Sequence, residues 1–207
     1  MTKNEGIIGL VDEIKPAGEK EVFGEIKKIT IKATKGIRLP TLSGDRVIVY
    51  NEALSNQLYG RHFGEMSGGR DYLNLYESCL LLDEKRIVVV DSKEKNIDSD
   101  SLHGYANRLN KSFGLNYVVY RDLRLTRGLV ARSGLKFGSE FVVYAGGKSP
   151  GKSHSKTMVK VLPESKRLNI NDITLSSRLA TNVRKKMIFA IVTERGPVYY
   201  EVSRAKL

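Results

Sequence analysis

Tryptophan is absent from these 207 residues, cysteine occurs once, as Cys79, and proline five times. A lone cysteine closes no disulfide within the chain, which excludes the stapled framework of a small secreted domain and suits a reducing compartment, here expected to be the cytoplasm. No apolar run approaches the roughly 20 residues that cross a bilayer, and the opening MTKNEGIIGL lacks the basic start, long apolar stretch and small-residue cleavage site of an export signal. No membrane role is expected. Missing as well are CxxC, HExxH, GxxxxGKS/T and a GxGxxG on a strand-to-helix turn, so zinc, P-loop and dinucleotide chemistry have no support and no cofactor is expected.

What the chain does have is 41% hydrophobic residues, enough for one or two soluble cores, and 35 Lys+Arg against 23 Asp+Glu, a net charge of +12. The sum alone permits DNA, RNA or an anionic surface. Its distribution is narrower. Residues 1–116 hold 17 Lys+Arg and 17 Asp+Glu, whereas residues 117–207 hold 18 against 6, so the whole excess lies in the second part. A uniformly solvated surface intersperses both signs throughout, as the first part does; the split marks a polyanion-facing domain beside a neutral one.

Along the chain, residues 1–25 read as a charged N-terminal extension and residues 26–112 as an α+β scaffold domain. In and around the latter, alternation predicts strands over 25–32 (EIKKITIK) and 45–50 (DRVIVY) and a buried strand over 87–90. Helices are expected over 51–58 and, beyond the break at Gly68-Gly69, over 71–82, where Leu73, Tyr76 and Leu80 recur at helical spacing. The polar run 91–101 reads as a loop entering a helix over 102–111, with Ser101 as N-cap. Residues 113–207 read as a small α/β catalytic domain with a central mixed sheet flanked by helices. Its expected elements are a helix over 118–126, strands over 129–132, 137–145, 157–162, 186–193 and 198–202, and a helix over 175–184.

Metal-dependent nuclease chemistry wants clustered carboxylates, and the basic part has only Asp122, Glu140, Glu164, Asp172, Glu194 and Glu201, all scattered. Cutting RNA without a metal needs a base for the 2′-hydroxyl proton, an acid for the leaving 5′-oxygen and a cation for the phosphorane. Histidine suits the acid and lysine the cation. The basic part holds one histidine, His154, in the Gly- and Pro-containing turn AGGKSPGKSHS of residues 145–155. A lone loop histidine is by itself a solvated side chain; Lys148, Lys152 and Lys156 around this one would gather phosphate. Tyr144 ends an apolar strand, where an aromatic is ordinarily structural. Arg178 and Lys185, seven residues apart on the expected helix, would share one face about 10 Å apart, with Lys185 at the helix end. Without more they read as an exposed basic stripe.

Several linked blocks follow one another from residue 120. They are Tyr120-Arg121-Asp122-Leu123-Arg124 with Arg127-Gly128, then Ser133-Gly134-Leu135-Lys136-Phe137-Gly138, Val143-Tyr144 and His154-Ser155. Arg178-Leu179-Ala180, Val183-Arg184-Lys185-Lys186 and Val198-Tyr199-Tyr200 complete the set. In order and spacing these resemble the catalytic domain of the archaeal tRNA-splicing endonuclease family. Upstream, Leu58-Tyr59-Gly60, Phe63-Gly64 and residues 71–90 are similar to the family's N-terminal domain.

The resemblance implies a metal-free RNA endonuclease with Tyr144 as general base, His154 as general acid and Lys185 stabilising the transition state; Lys186 is the alternative lysine. It implies precursor tRNA with a bulge-helix-bulge as substrate, and products ending in a 2′,3′-cyclic phosphate and a 5′-hydroxyl. A flipped bulge base would be clamped between Arg178 and Arg204, a recognition by stacking that tolerates any base, with Lys152 and Lys156 on phosphates. Family members work as tetramers docked through an acidic loop on the last hairpin. Residues 193–197 (TERGP) offer only Glu194 there, which leaves both a homotetramer and a heterotetramer with a structural subunit open. The reading from a different class is a non-catalytic RNA-binding subunit, or a ribosome-associated protein, using the same basic surface.

Overall fold

The computed structural model describes residues 8–10, 22, 23, 38–144 and 153–204. The chain divides into two units, Gly18–Gly114 and Met1–Ala17 with Leu115–Leu207. The strand expected over 25–32 lies outside the described residues. Strand β1 (Ile8–Leu10) belongs to the unit of Leu115–Leu207, so the segment read as an extension supplies part of that unit's sheet.

The unit Gly18–Gly114 is built on a sheet of order β4-β5-β3-β2-β6-β7. Strands β2 (Thr41–Ser43) and β3 (Arg46–Val49) form a hairpin, and period-two alternation buries Val47 and Val49 completely. Helix α1 (Glu52–Gly60) follows, with the Asn51 side chain accepting from the Leu54 N–H at 2.9 Å. The helix expected over 71–82 is a strand for its first four residues. Gly68 and Gly69 both have positive φ and form the two-residue loop of a hairpin between β4 (Glu65–Ser67) and β5 (Arg70–Asn74), with Ser67 opposite Arg70. Leu73 is therefore a buried strand residue.

The helix proper, α2 (Leu75–Asp83), starts from a capping box in which Asn74 accepts from the Glu77 N–H and Glu77 accepts from the Asn74 N–H, both at 3.0 Å. Its Leu75, Cys79, Leu80 and Leu81 are buried, each large apolar side chain contributing about 1.5–3 kcal/mol. Burial pushes the Cys79 thiol far above its ordinary range, so this cysteine packs as a small hydrophobe. The supposed loop over 91–101 is structured: β6 (Val89–Val90) and β7 (Asn96–Ile97) pair across it, and α3 (Ser99–Leu109) begins three residues before the expected start. Its N-cap is Asp98, accepting from the Ser101 N–H at 2.8 Å, and not Ser101 itself.

Helix α4 (Phe113–Arg121) leads into a π turn over Asp122–Thr126, which together replace the single helix expected over 118–126. The second sheet has order β1-β12-β11-β10-β9-β8. Its strands are β8 (Val130–Ser133), β9 (Phe141–Tyr144), β10 (Thr157–Pro163), β11 (Lys186–Thr193) and β12 (Gly196–Val202), and a short 3-10 turn over Leu135–Phe137 occupies the start of the strand expected from 137. All neighbours are antiparallel except β10 and β11, whose parallel pairing requires the crossover supplied by α5 (Ile170–Asn182). This is the mixed sheet with flanking helices that the sequence predicts. Val142, Met158, Leu162, Ala180, Met187, Phe189 and Val202 form the core on the α5 side, and Phe141 meets Tyr120 of α4 on the other, ring centroids 5.8 Å apart. No helix among the described residues is long and apolar enough to cross a membrane.

Candidate active site

The register of the second sheet fixes what its ends bring together. Val143, Thr157 and Lys186 lie on one rung across β9, β10 and β11. Tyr144 and Lys185 are the next residues outward on either side of Lys156, and the Lys186 N–H donates to the Lys156 carbonyl at 2.8 Å. With strands about 4.8 Å apart, the backbones of Tyr144 and Lys185 are separated by about 10 Å. His154 precedes Lys156 by two residues, about 7 Å of extended chain. The three residues expected to do chemistry thus fall toward the same end of the adjacent strands β9, β10 and β11, with His154 three residues before β10 begins.

Local structure aims each side chain. Tyr144 shares its sheet face with Val142 and packs against the α5-side core, half-buried. Residues 154–156 alternate outward, inward, outward: His154 and Lys156 are exposed and Ser155 is buried. Lys185 turns inward, its ammonium donating to the Ser155 carbonyl and, at 2.8 Å, to the Ser155 hydroxyl. The same ammonium stands 5.4 Å from the centroid of the Phe137 ring. Lys186 faces elsewhere and pairs with Glu201 at 2.9 Å. Sequence reasoning passed over Ser155 and Phe137 as site residues; both stand in the quoted blocks, but the signal that joins them is spatial.

The expected helix stripe through Arg178 and Lys185 is not there, because α5 stops at Asn182. Val183 is its C-cap and Arg184 takes a left-handed conformation at φ 54°. The Lys185 N–H then donates to the Ala180 carbonyl at 2.8 Å and the Arg184 N–H to the Thr181 carbonyl at 3.0 Å, the two bonds of a Schellman motif. Arg178 is exposed about one turn inside that end of α5. Arg204 is exposed two residues beyond Val202, whose partner is Met187; continuing the register sets it level with Lys185, toward the same end of the strands. Lys156 is exposed on the central rung, and Lys152 lies outside the described residues. The 193–197 loop is a tight hairpin with Thr193 opposite Gly196 and Glu194 exposed.

Among the described residues, no three His, Cys, Asp or Glu side chains gather into a group that could hold a metal ion. The arrangement offers a phenol, an imidazole and an anchored ammonium toward one end of β9, β10 and β11, with exposed cations on either side. Chemically it can move protons at two oxygens and stabilise a dianionic centre between them.

The model of the tRNA intron endonuclease catalytic C-terminal domain matches residues 113–200, and that of the tRNA intron endonuclease N-terminal domain matches residues 39–103. A tRNA-splicing endonuclease of Pyrococcus horikoshii is 42% identical over 167 residues, 80% of this chain and 95% of that protein. One of Thermococcus gammatolerans is 44% identical over 163 residues, 78% of this chain and 94% of that protein. In Methanococcoides burtonii the similarity, 33% over 170 residues, spans 81% of this chain but only 48% of a longer tRNA-splicing endonuclease. With both family domains matched in the same order and relatives this similar over most of its length, the chain belongs to the tRNA intron endonuclease family.

Proposed function

We propose that this protein is the catalytic subunit of a tRNA-splicing endonuclease and cuts precursor tRNA at the bulge-helix-bulge without a metal ion. The observation that supports the reading is the register that sets Tyr144, His154 and Lys185 toward the same end of three adjacent strands, within the stretch matched to the catalytic domain. Tyr144, in its phenolate form, takes the proton of the 2′-hydroxyl and becomes the phenol, and the freed 2′-oxygen attacks the adjacent phosphorus. Lys185 stabilises the charge that builds on the non-bridging oxygens. His154, in its imidazolium form, protonates the departing 5′-oxygen as the phosphorus–oxygen bond breaks, and is left as the neutral imidazole. The products are a 2′,3′-cyclic phosphate and a 5′-hydroxyl, so every proton is accounted for by the two side chains.

Arg178 and Arg204 clamp a bulge base by guanidinium stacking, which reads shape and not base identity, while Lys152 and Lys156 hold flanking phosphates. Two cuts at fixed separation call for paired active sites, in a homotetramer or in a heterotetramer with a structural subunit. The Methanococcoides burtonii relative, about twice as long as its matched part, is consistent with such pairing. The place of action is the cytoplasm.

The test is cleavage of a bulge-helix-bulge RNA in EDTA. The unmodified protein leaves cyclic phosphate ends, and His154→Ala loses the activity while still binding the RNA. Unchanged cutting by that variant, or an absolute need for magnesium, refutes the mechanism; binding without cutting by the unmodified protein leaves the non-catalytic subunit.

A further inference from the structure

We infer that Ser155 is a positioning residue for Lys185, holding two of the ammonium's three N–H groups so that the third, which has no partner among the described residues, is directed to the phosphate. An ammonium has three donors and no acceptor. Here one goes to the Ser155 carbonyl and a second to the Ser155 hydroxyl at 2.8 Å. Ser155 is itself only 6% exposed, so its hydroxyl is not a competing water site but a fixed acceptor. The Phe137 ring, 5.4 Å from the same ammonium, closes a further side of the cradle with its electron-rich face.

The placement has a reason in the backbone. Lys185 follows a residue in left-handed conformation and spends its own N–H on Ala180, so its main chain is fixed while its four-carbon stem remains free. A flexible lysine beside a reacting phosphate loses rate to misorientation, and Ser155 removes that freedom in advance. Because Ser155 lies between His154 and Lys156, the hydrogen bonds also tie the strand end that carries the acid to the one that carries the cation. The inference rests on Lys185 acting as proposed above.

The experiment is single-turnover cleavage of a bulge-helix-bulge RNA by the full chain, its Ser155→Ala, Ser155→Thr and Lys185→Ala variants and the double variant Ser155→Ala/Lys185→Ala, with RNA affinity and thermal midpoint measured alongside. Ser155→Ala is expected to cut about tenfold more slowly at unchanged affinity, and to have no further effect once Lys185 is gone. Ser155→Thr, which keeps the hydroxyl, stays within about threefold of the unmodified rate. A second readout needs no RNA: acetylation of Lys185 by an amine-reactive ester, measured by mass spectrometry against Lys186, speeds up several-fold in Ser155→Ala. An unmodified rate in Ser155→Ala, an equal loss in the Lys185→Ala background, or unchanged acetylation overturns the inference. If the unmodified protein does not cut, or Lys185→Ala cuts normally, the functional reading itself falls, an outcome distinct from a working Lys185 that ignores Ser155.

Discussion

The Tyr199 hydroxyl donates to Asp122 Oδ2 at 2.6 Å, tying the middle of β12 to the first residue of the π turn. Arg127 closes the cluster, donating from Nε to the same oxygen at 2.8 Å while its guanidinium lies 4.2 Å from the Tyr199 ring centroid. Burial first, and the Asp122 carboxylate second, push the phenol well above its ordinary range. The neutral phenol is thus favoured in the folded protein. Its stabilisation is complete below the unfolded value near 10 and is lost as pH rises beyond it, with a limiting slope of about 1.4 kcal/mol per pH unit for one proton. Urea unfolding between pH of about 9 and 11 is expected to show the midpoint falling for the unmodified protein and falling less steeply for Tyr199→Phe. Parallel curves refute the assignment.

Arg184 holds the left-handed position that glycine ordinarily occupies after a helix, at φ 54°. An L-residue there carries a penalty of about 1–2 kcal/mol, partly offset because glycine is freer in the unfolded chain. Arg184→Gly is therefore expected to raise stability by up to about 1 kcal/mol, read as a higher urea midpoint at unchanged slope. A midpoint that stays or drops means the arginine side chain makes compensating contacts.

The same feature bears on which boundaries were legible in the sequence. The expected starts of α2 and α5 were misplaced, at 71 for Leu75 and at 175 for Ile170, because apolar spacing does not register a cap; Asn74 and Asn169 cap with their side chains and carry the acidic partner three residues on. The ends fell close, at 58, 82 and 184 against Gly60, Asp83 and Asn182, although α1, α2 and α5 all turn through a left-handed non-glycine residue, His62, Lys85 and Arg184. The error at residues 71–82 has a further cause. Asp71 and Leu73 alternate into the core as strand residues, but the following apolar run of α2 lets a helical period extend backwards over them. At the site, residue types alone left Tyr144 a structural aromatic, His154 a solvated loop side chain and Lys185 part of a basic stripe, and only the resemblance of the linked blocks to the family singled them out. The link from Lys185 to Ser155 was not readable, because it joins residues 30 apart through the register of β10 and β11.

Gly134 sits where β8 turns toward β9, donating its N–H to the Glu140 carbonyl at 2.9 Å. A Cβ there would stand 2.4 Å from Ser139 Oγ and 2.7 Å from the Phe141 carbonyl carbon, and the latter is backbone that cannot swing aside. Gly134→Ala is expected to cost about 3 kcal/mol, which for a chain of this size lowers the thermal midpoint by about 6–12 °C. The turn it closes carries Phe137, so cleavage measured well below the new midpoint should slow as well. A variant as stable as the unmodified protein means the turn can open.

Charge and stacking make separable contributions to RNA affinity. Each phosphate neutralised contributes about 0.7–0.9 to the slope of log affinity against log salt. Lys156→Gln, at the central rung of the proposed site, is expected to reduce the slope by about one, whereas Lys93→Gln, exposed in the neutral unit, leaves it unchanged. Arg204→Lys keeps the charge but gives up the planar guanidinium, so it should weaken binding at every salt concentration with the slope preserved. The measurement is a salt titration of bulge-helix-bulge RNA binding for the four proteins. A slope that falls for Lys93→Gln puts RNA on the neutral unit, and an unchanged affinity for Arg204→Lys means that the guanidinium of Arg204 does not stack on a base.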